Sequence, residues 1–151
     1  MSIEQSMTID KAIAGSQIEK MAKVMGYANL VKALSGYIKI ASEFFNRNQN
    51  MTEVQAIQTA GIIISEFPML TVEDLVMAIK EAKSSKYGYE KVYSGVDGTV
   101  ICQWLNYYFD RKMDRVEAQY KEQKKQWHNE MYEPRIGGTN RFEELLKKIV
   151  K

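Results

Sequence analysis

The sequence has little of what most catalytic and covalently braced proteins rely on. Its 151 residues include one cysteine, Cys102, and one histidine, His128. A lone cysteine forms no intrachain disulfide, which fits a reducing compartment. A structural zinc site needs three or four Cys or His ligands at close spacing, and one of each does not supply them. Nucleophilic catalysis needs a base within reach of the nucleophile. Cys102 and His128 fall on the same predicted helix about seven turns apart, and so cannot meet within one chain. The glycine patterns that cradle phosphates, Gly-x-x-x-x-Gly-Lys-Ser/Thr and Gly-x-Gly-x-x-Gly, do not occur. The adjacent pairs Glu73-Asp74 and Glu143-Glu144 diverge around a helix and share no face. These shortages predict a protein that is not an enzyme and holds neither a metal nor a cofactor.

Helix breakers are also scarce, at two prolines and nine glycines, which favours long helices over loops. Wholly apolar runs such as Gly61-Ile62-Ile63-Ile64 are far too short to span a bilayer. The N-terminus, Met1-Ser2-Ile3-Glu4, lacks the basic-then-apolar pattern of a secretory signal. No membrane partner is expected, and the expected location is the cytoplasm of a bacterial host.

What is present is apolar periodicity. Apolar residues make up 45% and charged residues 26%, enough of each for a folded core. A first helix is expected over 8–25, after seven frayed residues, with Gly26 as its stop. Leu30, Leu34, Tyr37, Ile38, Ala41 and Phe45 recur at three- and four-residue steps and predict a second helix with one buried face. Thr52-Glu53-Val54-Gln55 has the spacing of a capping box. In the helix that follows, Val54, Ile57, Gly61, Ile64 and Phe67 share a face that Ile62 and Ile63 widen. A central position is therefore expected for that helix, with Pro68 ending it. Thr71 with Asp74 repeats the cap, and Leu75, Val76, Ile79 and Ala82 form the next stripe. The stretch 83–98 is rich in Gly, Ser and Tyr, and a short two-stranded ribbon is one expectation for it. A helix of more than 30 residues is then expected from Thr99 to about Tyr132, with Ile101, Trp104, Leu105 and Tyr108 as its strong stripe.

Charge separates along the chain. Residues 111–151 carry 11 Lys/Arg against 7 Asp/Glu, and the other 110 residues carry 10 against 12. The expected organisation is an all-α bundle over 1–110, a projecting charged helix over 111–133, and a Pro134/Gly137/Gly138 joint with a short terminal helix over 134–151.

Three segments suit binding. Tyr87, Tyr89 and Tyr93, leading to Asp97, combine apolar area with polar handles. They either form an interface or close the core under a loop, with Asp97 or Thr99 capping the long helix. Arg111, Lys112, Arg115, Lys121, Lys124 and Lys125 interleave with Tyr120, Trp127 and Tyr132, as in surfaces that track phosphates and stack bases. Acids among them, such as Glu117 four residues before Lys121, equally describe an ordinary ion-paired helix surface, solvated or self-associating. Phe142, Leu145, Leu146 and Ile149 give the terminal helix an apolar face for a partner groove or for its own body.

The pattern Ile62-Ile63-Ile64-Ser65-Glu66-Phe67-Pro68-Met69-Leu70-Thr71-Val72-Glu73-Asp74-Leu75, then Lys86-Tyr87-Gly88, Lys91-Val92-Tyr93, Asp97-Gly98 and Trp104-Leu105, resembles a group of short helical proteins. These come from phages and mobile elements of Bacteroides-type bacteria. The resemblance covers a little over half the chain and implies an accessory role without an assigned reaction. The layout of body, charged helix, joint and terminal helix is also similar to phage proteins that load or inhibit replicative helicases, which would make a helicase the protein partner. Layout carries little function by itself. Three alternatives stay open: nucleic-acid binding through the basic tail, self-assembly of the long helix into a homo-oligomer, and inhibition of a host defence enzyme.

Overall fold

The computed structural model describes residues 2–45, 50–85, 95–132 and 146–148. The fold is all-α: α1 (Ile3–Ser6), α2 (Ile9–Ala14), α3 (Ile18–Met25), α4 (Tyr27–Glu43), α5 (Glu53–Glu66), α6 (Val72–Lys83) and α7 (Gly98–Tyr132), with no strand among the described residues. The ribbon considered for 83–98 falls mostly on residues 86–94, which lie outside the described residues. Residues 146–148 are helical and belong to the predicted terminal helix, whose remaining residues also lie outside. The chain divides into two compact units, Met1–Lys112 and Met113–Lys151.

The N-terminus departs from expectation. Residues 2–7 are tied down rather than frayed and include α1, and two short helices, α2 and α3, replace one over 8–25. Ser2 and Gln5 form a reciprocal capping box around α1. Lys83 Nζ donates to Glu4 Oε1 at 2.7 Å, and Tyr37 Oη donates to the same oxygen at 3.0 Å. Lys80 Nζ donates to the Met7 carbonyl at 2.7 Å. The break between α2 and α3 is where backbone finds partners elsewhere: Ile18 N–H donates to Leu70 O at 2.7 Å and Glu19 N–H to Pro68 O at 3.1 Å. Helix periodicity cannot reveal such bonds, because they join segments distant in sequence. Gly26, at φ +87, makes the sharp turn from α3 to α4 that a side chain would strain.

The α4 stripe is buried as its spacing predicts, through Leu30, Leu34, Ile38 and Ala41. Helix α5 is the main correction. Its capping box at Thr52 and Gln55 forms as expected. Its buried residues are Ala56, Thr59, Ala60 and Ile63. Ile63, Ile64 and Phe67 of the expected face do meet the core, but the inner row is rotated around the helix from the expected one. Val54, Ile57 and Ile62 are exposed. Small residues win the inner face because they allow close approach. A Cβ placed on Gly98, at the start of α7, would fall 2.4 Å from Thr59 Oγ1.

The central helix is α6. Asp74, Leu75, Val76, Met77, Ala78, Ile79, Glu81 and Ala82 are all buried, so it is covered nearly all round. Ile101, Trp104, Leu105 and Tyr108 of α7 complete the core, and Phe45 packs on Trp104 with ring centroids 4.9 Å apart. At the N-terminus of α6, Asp74 is fully buried. Its Oδ2 accepts from Thr71 N–H at 2.7 Å and from Lys112 Nζ at 2.7 Å, and its Oδ1 accepts from Tyr108 Oη at 3.0 Å. Thr71 Oγ1 accepts from Asp74 N–H and donates to the Ala12 carbonyl, each at 3.1 Å. One capping box thereby joins α2, α6 and α7.

The rotated face of α5 sets a test. Ala60→Leu is expected to cost about 1–3 kcal/mol by overpacking a filled site. Ile57→Lys, three residues earlier on the outer face, is expected to stay within about 0.5 kcal/mol of the parent. Urea denaturation of both variants distinguishes this arrangement from the stripe read off the sequence, which demands the opposite ranking.

Candidate interaction surface

The functional candidates gather on α7. Helix geometry fixes which of its residues share a row, at about 100° per residue. Ile101, Trp104, Leu105, Tyr108 and Lys112 form the buried row. Followed onward, that row becomes polar, through Arg115, Gln119, Gln126 and Glu130. A second apolar row replaces it about a quarter of a turn away: Met113, Val116, Tyr120, Trp127 and Met131. Val116 is half-buried, and the other four are exposed by 47%, 66%, 60% and 58%. Large apolar side chains in one row of a helix, open to water, make this row the candidate contact surface.

Cations flank this row. Lys121, Lys124, Lys125, Trp127, His128 and Asn129 line a recess of about 520 Å³ in the second unit. The His128 and Tyr132 rings lie 4.4 Å apart, one helical turn from each other. Lys121 Nζ meets Glu117 Oε1 at 2.6 Å, the ion pair expected from their spacing. The Lys121 hydrogen bond and charge hold the Glu117 carboxyl below the usual carboxylate range. Both groups are well exposed, so the pair adds little stability.

The six basic candidates do not act alike. Lys112 is buried against Asp74, and Arg111 is bonded to the buried carboxylate of Glu81. These two serve the interior of the first unit, and a phosphate backbone would have to compete with those carboxylates. Arg115, Lys121, Lys124 and Lys125 are exposed. Sequence reasoning missed the role of Lys112 because its partner lies 38 residues away. The sole hint was Asp74 itself, a carboxylate inside an otherwise apolar stripe.

Among the other candidates, Asp97 caps α7, its Oδ1 accepting from Val100 N–H at 3.0 Å. Tyr87, Tyr89, Tyr93, Phe142, Leu145 and Ile149 lie outside the described residues, and Leu146 is exposed. Sequence reasoning also missed the outer face of α5, where Val54, Ile57 and Ile62 are exposed, as is Tyr27 on α4. The Cys102 thiol is pushed up from its usual range, first by burial and then by the charges of Asp97 and Glu66. It therefore stays protonated and unreactive at neutral pH. Among the described residues, no three His, Cys, Asp or Glu side chains stand together as a metal site would need, and no helix is long and apolar enough to cross a membrane. Comparison with protein-family models, with curated proteins and with solved structures finds no match to this chain.

Two outcomes are expected from this arrangement. Lys112→Met leaves the buried Asp74 carboxylate without its counter-charge, and its cost by urea denaturation is expected to be about 3–5 kcal/mol. For Cys102, alkylation by iodoacetamide at neutral pH is expected to be slower in the folded protein than in the unfolded chain. The folded-state pKa lies above the unfolded value of about 8.5, so the burial of the protonated thiol favours folding below that pH. The contribution fades as pH rises through the folded value, which a pH series of Tm with a Cys102→Ala control reads directly.

Proposed function

We infer that this chain is a non-catalytic binding protein that works by protein–protein contact, with the distal part of α7 as its main contact surface. The observation that supports this reading is the exposed row Met113, Val116, Tyr120, Trp127 and Met131. Aromatic side chains of this kind supply large contact area with few rotatable bonds, and Trp and Tyr are enriched among residues that dominate binding energy. The protonated, half-buried Cys102 gives the reading no competing nucleophile.

The resemblance to phage and mobile-element proteins supplies the setting: an accessory protein of DNA replication, with a replicative helicase as the first partner to test. Affinity capture of the tagged protein from a bacterial host, with nuclease present, is the direct experiment. A helicase that is recovered, and that binds the purified chain, supports the reading. Tyr120→Ala/Trp127→Ala is then expected to weaken that binding at least tenfold, since each buried aromatic anchor contributes on the order of 1–2 kcal/mol or more. Binding unchanged in this variant removes α7 as the contact surface.

A second reading has one observation in its favour, the recess in which Lys121, Lys124 and Lys125 surround Trp127. Cations beside an exposed aromatic can hold phosphate and stack a base. Its signature is an affinity for single-stranded DNA or RNA that falls steeply with salt. Fluorescence anisotropy with labelled oligonucleotides decides this, and absent or salt-insensitive binding eliminates it.

A further inference from the structure

The same α7 surface carries a more specific inference, which rests on its reading as a contact surface. We propose that distal α7 pairs antiparallel with the same segment of a second copy of this chain.

The argument begins with spacing. Met113, Tyr120 and Trp127 are seven residues apart, and Val116, Gln123 and Glu130 interleave with them at the three- and four-residue offsets of a heptad. In heptad terms the first three occupy position a and the second three position d. Glu117, Lys124 and Met131 follow at e, and Gln119 and Gln126 stand at g. A row that supercoils with a partner helix is thus present over 113–131, all of it within one continuous helix.

Orientation follows from which residues would then face each other. In a parallel pair, like faces like. Trp127 would meet its own copy, as would Gln123, and Glu130 would be placed against Glu130 at the end of the seam. The cross-strand contact of opposite charge in that register is Lys112 with Glu117, and Lys112 is already buried against Asp74. In an antiparallel pair, each a position faces a d position. Centring the overlap between residues 121 and 122 sets Val116 against Trp127 of the second copy, a small side chain against a large one. Tyr120 then faces Gln123, which can accept or donate to its hydroxyl, and Met113 faces Glu130. On one flank Glu117 meets Lys124 of the second copy, twice by symmetry. On the other flank Gln119 meets Gln126, with no like charges opposed.

Charge and size therefore select the same register independently. The two flanking contacts are isologous, as a twofold pair requires. Glu117 already bonds Lys121 within its own helix, so the second-copy Lys124 adds a second cation to a carboxylate held in its charged form. The seam is short and carries Gln123 and Glu130 in its core positions, so association is weak and depends on concentration.

Sedimentation equilibrium of the full chain over a range of concentrations is the test. The mass is expected to rise from the 17.4 kDa monomer towards twice that value. Glu117→Lys and Lys124→Glu, each alone, place like charges across both flanking contacts, and each is expected to weaken dimerisation at least fivefold. The double variant Glu117→Lys/Lys124→Glu restores the opposite pairs and the parent dissociation constant. Circular dichroism confirms that all three keep their helix content. A mass that stays monomeric at every concentration overturns the pairing but leaves contact with a different protein to the capture experiment. Dimerisation that persists in both single variants, or that the double variant fails to recover, overturns this register. Orientation is read separately in a Cys102→Ser background. An equimolar mixture of Glu117→Cys and Lys124→Cys chains is expected to oxidise to the mixed disulfide. Efficient crosslinking of Glu117→Cys with itself refutes the antiparallel arrangement.

Discussion

A carboxylate removed from water must be compensated by donors and counter-charge, and Asp74 shows how much of the first unit that requirement recruits. Its two oxygens draw on the backbone of Thr71, the phenol of Tyr108 and the ammonium of Lys112. Thr71 in turn reaches the end of α2. A helix cap, ordinarily a local device, becomes the point where three helices are held together. The buried pair is not expected to add more stability than apolar residues of equal volume would. Its directional bonds tie two residues of α7, Tyr108 and Lys112, to one carboxylate of α6.

Much of this architecture was legible in the sequence. The stripes of α4 and α6 and the first turns of α7 were read correctly because their large apolar residues and their buried residues coincide. Both internal capping boxes were read correctly because each is closed within four residues. Helix α5 was misread for a physical reason. Hydrophobicity identified Ile63, Ile64 and Phe67, which do meet the core, together with Val54, Ile57 and Ile62, which are exposed, whereas close approach of neighbouring groups selected Ala56, Thr59 and Ala60. Which of two plausible faces turns inward depends on neighbours, and the tight contact of Gly98 with Thr59 is invisible until α7 is in place. The N-terminal break was hidden likewise, since its backbone bonds go to Pro68 and Leu70.

The candidate surface on α7 was half legible. Charge and aromatic content drew attention to the region after Arg111, but composition treats all six basic residues as equivalent. Geometry separates Arg111 and Lys112, which answer to Glu81 and Asp74, from the exposed cations that follow. Periodicity then separates two rows on one helix, one meeting the core of the first unit and one beginning where the first turns polar.

The position of α6 in the chain has a consequence for how the protein is made. Its side chains bond backward across 59, 73 and 79 residues, to Ala12, Met7 and Glu4, and forward across 34 and 38, to Tyr108 and Lys112. A ribosome delivering the chain from its N-terminus exposes α6 and its carboxylate well before the neutralising lysine exists. Native closure of the first unit is thus delayed until α7 has emerged, and the nascent helices before it must wait in a partly wet, incompletely packed state.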